Sequence, residues 1–203
     1  MRVLNLYAGI GGNRKLWEDV EVTAVELDPQ IAKIYQDFFP KDKVVVGDAH
    51  QYLLEHFKEF DFIWSSPPCP SHSDMRRCAV HRGQNEAVYP DMKLYAEIIL
   101  LKHFAPLETR WTVENVRPYY QLLLPALEIG KHLFWSNFYI NQFPCEDSRH
   151  SASMEELQTY KGFDMSNYKE VDRRKVLRNC VSSHLGYHIL NCARRKEQLT
   201  MFA

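Results

Sequence analysis

An α/β fold with a doubly wound, mostly parallel sheet is what this sequence predicts. Three observations carry the expectation. Short apolar runs alternate with amphipathic stretches along the chain, the pattern of strands joined by crossover helices. The first three of those runs end in glycine-rich or acidic turns, at the edge where open α/β sheets bind ligands. The chain has 203 residues, enough for one domain with a single core.

Taken in order, residues 3–7 read as the first strand, followed by a glycine-rich turn and a short helix near residues 13–18. Residues 20–26 form the next strand. Asp28-Pro29 then opens a helix to about Phe38, because Asp caps a helix and Pro suits its first turn. Residues 43–46 are a third strand, 51–57 a third helix and 60–65 a fourth strand. Residues 66–85, rich in Pro, Ser, Arg and His, read as a long loop, a feature usually tied to function when ordered. A long helix over 89–104 and a fifth strand over 110–114 follow. Residues 119–129 read as a helix ended by Gly130, a favoured residue just past a helix terminus. The aromatic run 133–140 reads as one or two strands, 141–171 as an irregular polar excursion, and 175–193 as a final helix, with an early break left open. A single domain over 1–203 is the expectation, with 172–203 packing back as a helical segment.

Composition narrows the class. The chain is 45% hydrophobic and 25% charged, the balance of a globular protein. No apolar run approaches the length of a membrane span, and the N-terminus enters a strand without the layout of a signal peptide, so a cytoplasmic protein is expected. The five cysteines, Cys69, Cys78, Cys145, Cys180 and Cys192, are odd in number and form no CxxC pair, which argues against a disulfide scaffold. The net charge is −1, but it is unevenly spread. Arg76, Arg77 and Arg82 cluster with His72 and His81, and Arg173, Arg174, Lys175, Arg178, Arg194, Arg195 and Lys196 form a second basic group. Two such groups on a near-neutral chain fit a localised phosphate-binding face.

The first strand leads into Tyr7-Ala8-Gly9-Ile10-Gly11-Gly12, where glycines let a ligand approach the backbone. The second ends in Glu26-Leu27-Asp28-Pro29, with an acid where a ribose diol is hydrogen-bonded. The third ends in Gly47-Asp48-Ala49, where Asp48 can accept from an adenine amino group. The bland alternative is that Glu26 and Asp48 only cap helices. The fourth strand delivers Pro67-Pro68-Cys69-Pro70, whose prolines stiffen the backbone around a thiol. Beside arginines and histidines, Cys69 is expected to have a lowered pKa and to serve as a nucleophile. The fifth strand delivers Glu114-Asn115-Val116. Glu114 ends an apolar strand, so its carboxyl is expected to be partly buried and suited to the ring edge of a pyrimidine.

These motifs, in this order, resemble those of the cytosine-C5 DNA methyltransferase family. Leu6–Gly12 is similar to that family's first glycine motif. Glu26 to Pro29, Gly47 to Ala49, Pro67-Pro68-Cys69 and Glu114-Asn115-Val116 resemble later ones. Phe134–Phe138 and Arg178-Asn179-Cys180-Val181 are similar to two late motifs. The resemblance implies a Rossmann-like, S-adenosylmethionine-dependent methyltransferase acting on double-stranded DNA. It implies Cys69 as the thiolate that adds to C6 of a flipped-out cytosine, Glu114 as the acid that holds the base, and Asn115 as a brace for the cysteine loop. It implies a cofactor held by Tyr7, Ala8, Gly9, Gly11, Gly12, Glu26, Leu27, Asp28, Asp48, Ala49 and Pro67, with Asn179 and Val181 closing over its methionine end. Arg76, Arg77, Arg82, Arg173 and Arg174 are the expected nucleic-acid contacts.

The chain also departs from the family. Pro70 stands where Gln is common, Arg178 stands where Gly is usual, and a Q-x-R-x-R pattern is not recognisable near residues 131–138. The recognition region is reduced to about residues 141–171, which points to a short recognition sequence or to help from a second subunit. Three other readings compete. Cys69, His72, Cys78 and His81 have zinc-ligand types, but the two pairs are closely spaced and zinc would occupy the thiolate, so no metal is expected. A branch of the family that methylates RNA shares the same motifs. A non-catalytic binder on the same fold has no use for both Cys69 and Glu114.

Overall fold

A computed structural model describes residues 1–144 and 152–195. Cys145 and Lys196, and part of the expected 141–171 excursion, lie outside the described residues.

The strands are β1 (Arg2–Leu6), β2 (Glu21–Glu26), β3 (Lys43–Val46), β4 (Phe62–Ser65), β5 (Arg110–Val116), β6 (Leu127–Ile129) and β7 (His132–Ser136). They form one sheet in the order β3-β2-β1-β4-β5-β7-β6. The five strands β1 to β5 run parallel, and β7 enters antiparallel between β5 and β6. The chain first winds from β1 out to β3, then crosses to β4 on the other side of β1. That reversal makes the carboxyl edge between β1 and β4 the switch point of a Rossmann-like α/β fold. Buried side chains cover both faces of the sheet. Leu4, Leu6, Ile63 and Val113 pack with α4 (Lys93–Phe104) on one face. Val3, Phe62, Trp64 and Phe134 pack with α7 (Ser183–Arg194) on the other.

Local chemistry explains the helix starts. Asp28 accepts hydrogen bonds from the backbone of Gln30 and Ile31 at the start of α1 (Pro29–Phe38), which has Pro in its first turn. Asp48 does the same for His50 and Gln51 at α2 (Ala49–His56). Ser153 and Glu156 form a capping box on α5 (Met154–Lys161), which ends at Gly162 with a left-handed backbone, φ 71°.

Four sequence expectations are corrected. Residues 13–18 form successive turns rather than a helix, because the Asn13 side chain is drawn inward to pair with Asn5 at 2.8 Å. The 66–85 loop contains a helix, α3 (Asp74–His81), capped by Ser73. The long helix starts at Lys93 rather than 89, just after Pro90. Residues 119–129 are not helical. Pro125 interrupts the leucine run, the Leu124 carbonyl accepts from Trp135 Nε1 at 3.1 Å, and the segment ends as β6. Gly130, with φ 61°, turns the β6–β7 hairpin instead of ending a helix.

The C-terminal segment is two helices, α6 (Arg173–Asn179) and α7, separated at 180–182. The break has a packing cause. A Cβ on Gly12 would lie 2.6 Å from the Val181 carbonyl oxygen, so the interhelical link lies directly against the glycine turn. No helix among the described residues is long and apolar enough to cross a membrane.

Candidate active site

The first strand turn is held in an unusual shape. Tyr7, Gly9 and Gly11 all have positive φ (54°, 54° and 83°), a region costly for Tyr and open to Gly. A Cβ added at Gly9 would meet nothing within 4 Å, so this turn faces open space. Gly11 is required for a different reason: a Cβ there would lie 2.4 Å from the Phe39 ring. Glu26 closes the turn from β2. Its Oε2 accepts from Gly9 N at 2.9 Å and its Oε1 from Asp28 N at 3.0 Å. A carboxylate has about four lone-pair sites, so two remain for a ligand hydroxyl pair.

Asp48 is both a cap and a site candidate. Its Oδ1 caps α2, while Oδ2 faces Lys93 Nζ at 3.3 Å on an exposed surface. These contacts hold the Asp48 carboxyl below the usual range, chiefly through the backbone amide of Gln51. Leu27 is exposed at the lip, whereas Ala8, Ala49 and Pro67 are buried beneath it.

Under this edge lies a carboxylate that sequence reasoning missed. Glu97, from α4, has no solvent exposure. Its Oε1 accepts from Tyr7 Oη at 2.6 Å and from His50 Nδ1 at 3.0 Å, and its Oε2 accepts from Ser65 Oγ at 2.6 Å. One side chain thus ties the ends of β1 and β4 to the start of α2. The hydrogen bond to Glu97 raises the His50 pKa, against the effect of burial. Burial and the Glu97 charge raise that of Tyr7. Its only trace in the sequence is an acid inside the apolar stretch of α4.

Across β4 and β5 the cysteine loop is clamped from several sides. The Cys69 carbonyl accepts from His72 N and Ser73 N, both at 3.0 Å, making a tight turn into α3. Asn115 Nδ2 donates to the Pro67 carbonyl at 3.0 Å, joining β5 to the loop from β4. His72 is 1% exposed, which corrects the expectation of a residue facing phosphate or solvent. Its Nε2 donates to the Asp91 carbonyl at 3.0 Å, which leaves Nδ1 to accept from Tyr120 Oη at 2.5 Å. A neutral ring fits both bonds, and burial lowers its pKa accordingly. Cys78 and His81 lie on the exposed surface of α3, and no group of three or more metal-ligating side chains is present among the described residues.

The thiol itself departs from expectation. Burial, and then the charge of Glu114, push the Cys69 pKa up rather than down. A backbone hydrogen bond at Cys69 itself and then Lys131 oppose them only in part, and no arginine or histidine of the first basic cluster is among the causes. Glu114 is buried, and its Oε1 accepts from His132 Nδ1 at 2.6 Å. His132 was not singled out in the sequence, because one histidine at a strand start carries no motif.

A cavity of about 1420 Å³ opens at Cys69. Val116, Lys131 and His132 line it on the sheet side, and Lys161, Arg174, Lys175, Arg178 and Asn179 on the helical side. Among the acids, Asp74 and Asp172 line it, so the wall is strongly cationic. Of the expected nucleic-acid contacts, Arg174 lines this cavity and also donates to the Ala152 carbonyl at 2.7 Å. Arg173 is half-buried outside it. Arg76, Arg77 and Arg82 are on or beside α3 rather than in the wall. Arg76 donates to the Glu86 carbonyl at 3.4 Å, Arg77 covers the Tyr119 ring at 4.7 Å, and Arg82 is exposed. Val181 is buried against the glycine turn, while Asn179 reaches the cavity.

A glycine turn at a topological switch point, acids at the ends of β2 and β3, and a cysteine loop beside a buried glutamate define a methyltransferase of the Rossmann-like class. Residues 1–117, more than half of the chain, match the family described as C-5 cytosine-specific DNA methylase, and the protein belongs to that family. No curated relative matches the chain. Among solved structures, it resembles a hypothetical protein of Thermus thermophilus, with 19% identity over 66% of this chain and 73% of that one, at a TM-score of 0.44. It also resembles a SAM-dependent methyltransferase from Agrobacterium tumefaciens, with 12% identity over 59% of this chain and 40% of that one, at a TM-score of 0.42. A third is TrmN, also from Thermus thermophilus, with 19% identity over 59% of this chain and 34% of that one, at a TM-score of 0.39. The chain therefore spans well under half the length of the last two.

Proposed function

We propose that this protein methylates C5 of a cytosine flipped out of double-stranded DNA, with Cys69 as the nucleophile and S-adenosylmethionine as the methyl donor. The observation that carries the proposal is the coupling of two adjacent strand ends. Asn115 Nδ2 donates to the Pro67 carbonyl at 3.0 Å, which ties the Cys69 loop to the strand that carries Glu114.

The residues fit the donor. Open space above Gly9 gives its backbone room for a close ligand, and Glu26 retains acceptor capacity for a ribose. Asp48 Oδ2 and the exposed Leu27 flank the place for an adenine, with Tyr7, Ala8, Gly11, Gly12, Asp28, Ala49 and Pro67 shaping the floor. Asn179 and Val181 close the other end. When bound, S-adenosylmethionine supplies an electrophilic methyl group.

The chain's own residues prepare the base. A duplex cytosine cannot enter a buried site, so it leaves the stack, and the cationic cavity wall receives the neighbouring phosphates. Glu114 in its protonated form donates to N3 and accepts from the exocyclic amine, drawing electron density away from C6. Cys69 passes its proton to water, its sulfur bonds to C6, and N3 takes up the proton carried by Glu114, so C5 becomes the electron-rich end of an enamine. After C5 is methylated, loss of the C5 proton to a base restores the ring double bond, and the sulfur departs from C6. Burial and the Glu114 charge disfavour the Cys69 thiolate in the protein alone.

The test is transfer of radiolabelled methyl groups to duplex DNA and, separately, to RNA, followed by bisulfite sequencing. Label at C5 of DNA cytosines, abolished by Cys69→Ser with cofactor binding retained, is the expected result. Label on RNA alone would move the protein to an RNA substrate. Full activity in Cys69→Ser would overturn the mechanism.

A further inference from the structure

We infer that His132 is a positioning residue for Glu114, fixing which carboxylate oxygen meets the base. The inference rests on the proposed role of Glu114. β5 and β7 are antiparallel, with Glu114 opposite Phe134 and Val116 opposite His132. Opposed residues share a face of the sheet, so Glu114 and His132 are diagonal neighbours on one face. The separation of 2.6 Å between His132 Nδ1 and Glu114 Oε1 is that of a short, charge-assisted hydrogen bond. The side chains are only 14% and 8% exposed, so solvent competes weakly for the contact.

The consequence is an asymmetric carboxylate. Oε1 is engaged by His132, and Oε2 is the oxygen that this contact leaves to the base. His132 also lines the Cys69 cavity, so the pair lies at its edge. A cytosine offers an acceptor at N3 and a donor at the amine, side by side; a protonated Glu114 meets both when held in one plane, Oε2–H donating to N3 and the second lone pair of Oε1 accepting from the amine. Without His132, the carboxyl can rotate about its last bond and turn its charge toward Cys69, whose thiol it already disfavours. The hairpin supports the ring from behind, with the Phe134 ring 6.3 Å from that of His132. Arg117, which follows β5, pairs instead with Glu128 of β6.

The test uses duplex DNA carrying 5-fluorocytosine, which traps a cysteine adduct because fluorine at C5 cannot leave as a proton. Trapping rates and kcat against KM are compared for the wild type, His132→Ala and His132→Asn, the last keeping an N–H near the position of Nδ1. The expected result is a loss of about 10- to 100-fold in trapping rate and kcat for H132A, the scale of one hydrogen bond to a charged group. Cofactor affinity should stay within about twofold, and H132N should recover most of the rate. In a Glu114→Gln background, H132A should cost less than about twofold, because its effect runs through Glu114. Wild-type rates in H132A, or an undiminished cost in the E114Q background, would overturn the inference while leaving the Cys69 mechanism intact. No adduct in the wild type would instead overturn the mechanism, and this inference with it.

Discussion

In the β1–β3 half of the sheet, backbone makes the site; in the β4–β7 half, side chains do. The first half presents a turn of positive-φ residues, with Glu26 spent on two backbone amides and Asp48 on a helix start. The second half presents Asn115 on a carbonyl, His72 between Asp91 and Tyr120, and His132 on Glu114. A backbone cradle suits a ligand that is the same in every turnover. A side-chain site can be tuned to one base. The two halves meet at Glu97, which takes Ser65 from the cysteine strand and Tyr7 from the glycine turn on the same carboxylate.

That junction is where the contrast breaks most easily. Glu97→Ala would strand the Tyr7 and Ser65 hydroxyls in a fully buried site, at a cost of about 2–5 kcal/mol. Chemical denaturation should show this loss, and calorimetry should show weaker S-adenosylmethionine binding. Unchanged stability and affinity would mean that the two halves are independent. His72→Ala probes only the second half. It removes two buried hydrogen bonds from the cysteine loop, worth about 1–3 kcal/mol together. Turnover should fall while cofactor affinity holds, which sharpens the division between the halves. An equal loss of cofactor affinity would erase it.

The smallest effects come from pH. The His50 pKa is raised in the folded protein by Glu97, so protonation of His50 stabilises the fold. That contribution is complete below the unfolded histidine pKa and fades as pH rises through the higher folded value. Thermal melts of the wild type and His50→Gln should therefore converge at high pH. Cys69 behaves oppositely to an activated thiol. Its alkylation by iodoacetamide should rise only above the ordinary thiol range and move to lower pH in Glu114→Gln, since Glu114 is one cause of the shift.

The same contrast governs what could be read from the chain. Backbone cradles leave a sequence trace, because glycines and capping acids are needed at fixed places after a strand. The turn at Gly9–Gly12, the acids at Glu26 and Asp48, and the parallel order of β1 to β5 were legible for that reason. Side-chain sites leave less. Pro67-Pro68-Cys69 and Glu114-Asn115 could be read as motifs, but His72, His132 and Glu97 take their roles from strands and helices far apart in sequence. The leucine-rich run 119–129 misled for a related reason. Its composition favours a helix, while tertiary partners, Trp135 for the Leu124 carbonyl and Tyr95 for the Leu123 amide, hold it extended. Arg76 and Arg77 are near Cys69 in sequence but are not among the groups that set its thiol pKa. Burial and Glu114 decide it instead.

The central claim is that Cys69 attacks a cytosine held at the edge shared by β4 and β5. The most direct measurement is mass spectrometry of the protein incubated with S-adenosylmethionine and duplex DNA containing a single 5-fluorocytosine in a methylated context. The account predicts one covalent adduct mapped to Cys69 and absent in Cys69→Ser. An enzyme that methylates ordinary cytosine in that context yet forms no adduct, or forms one at another cysteine, would contradict it.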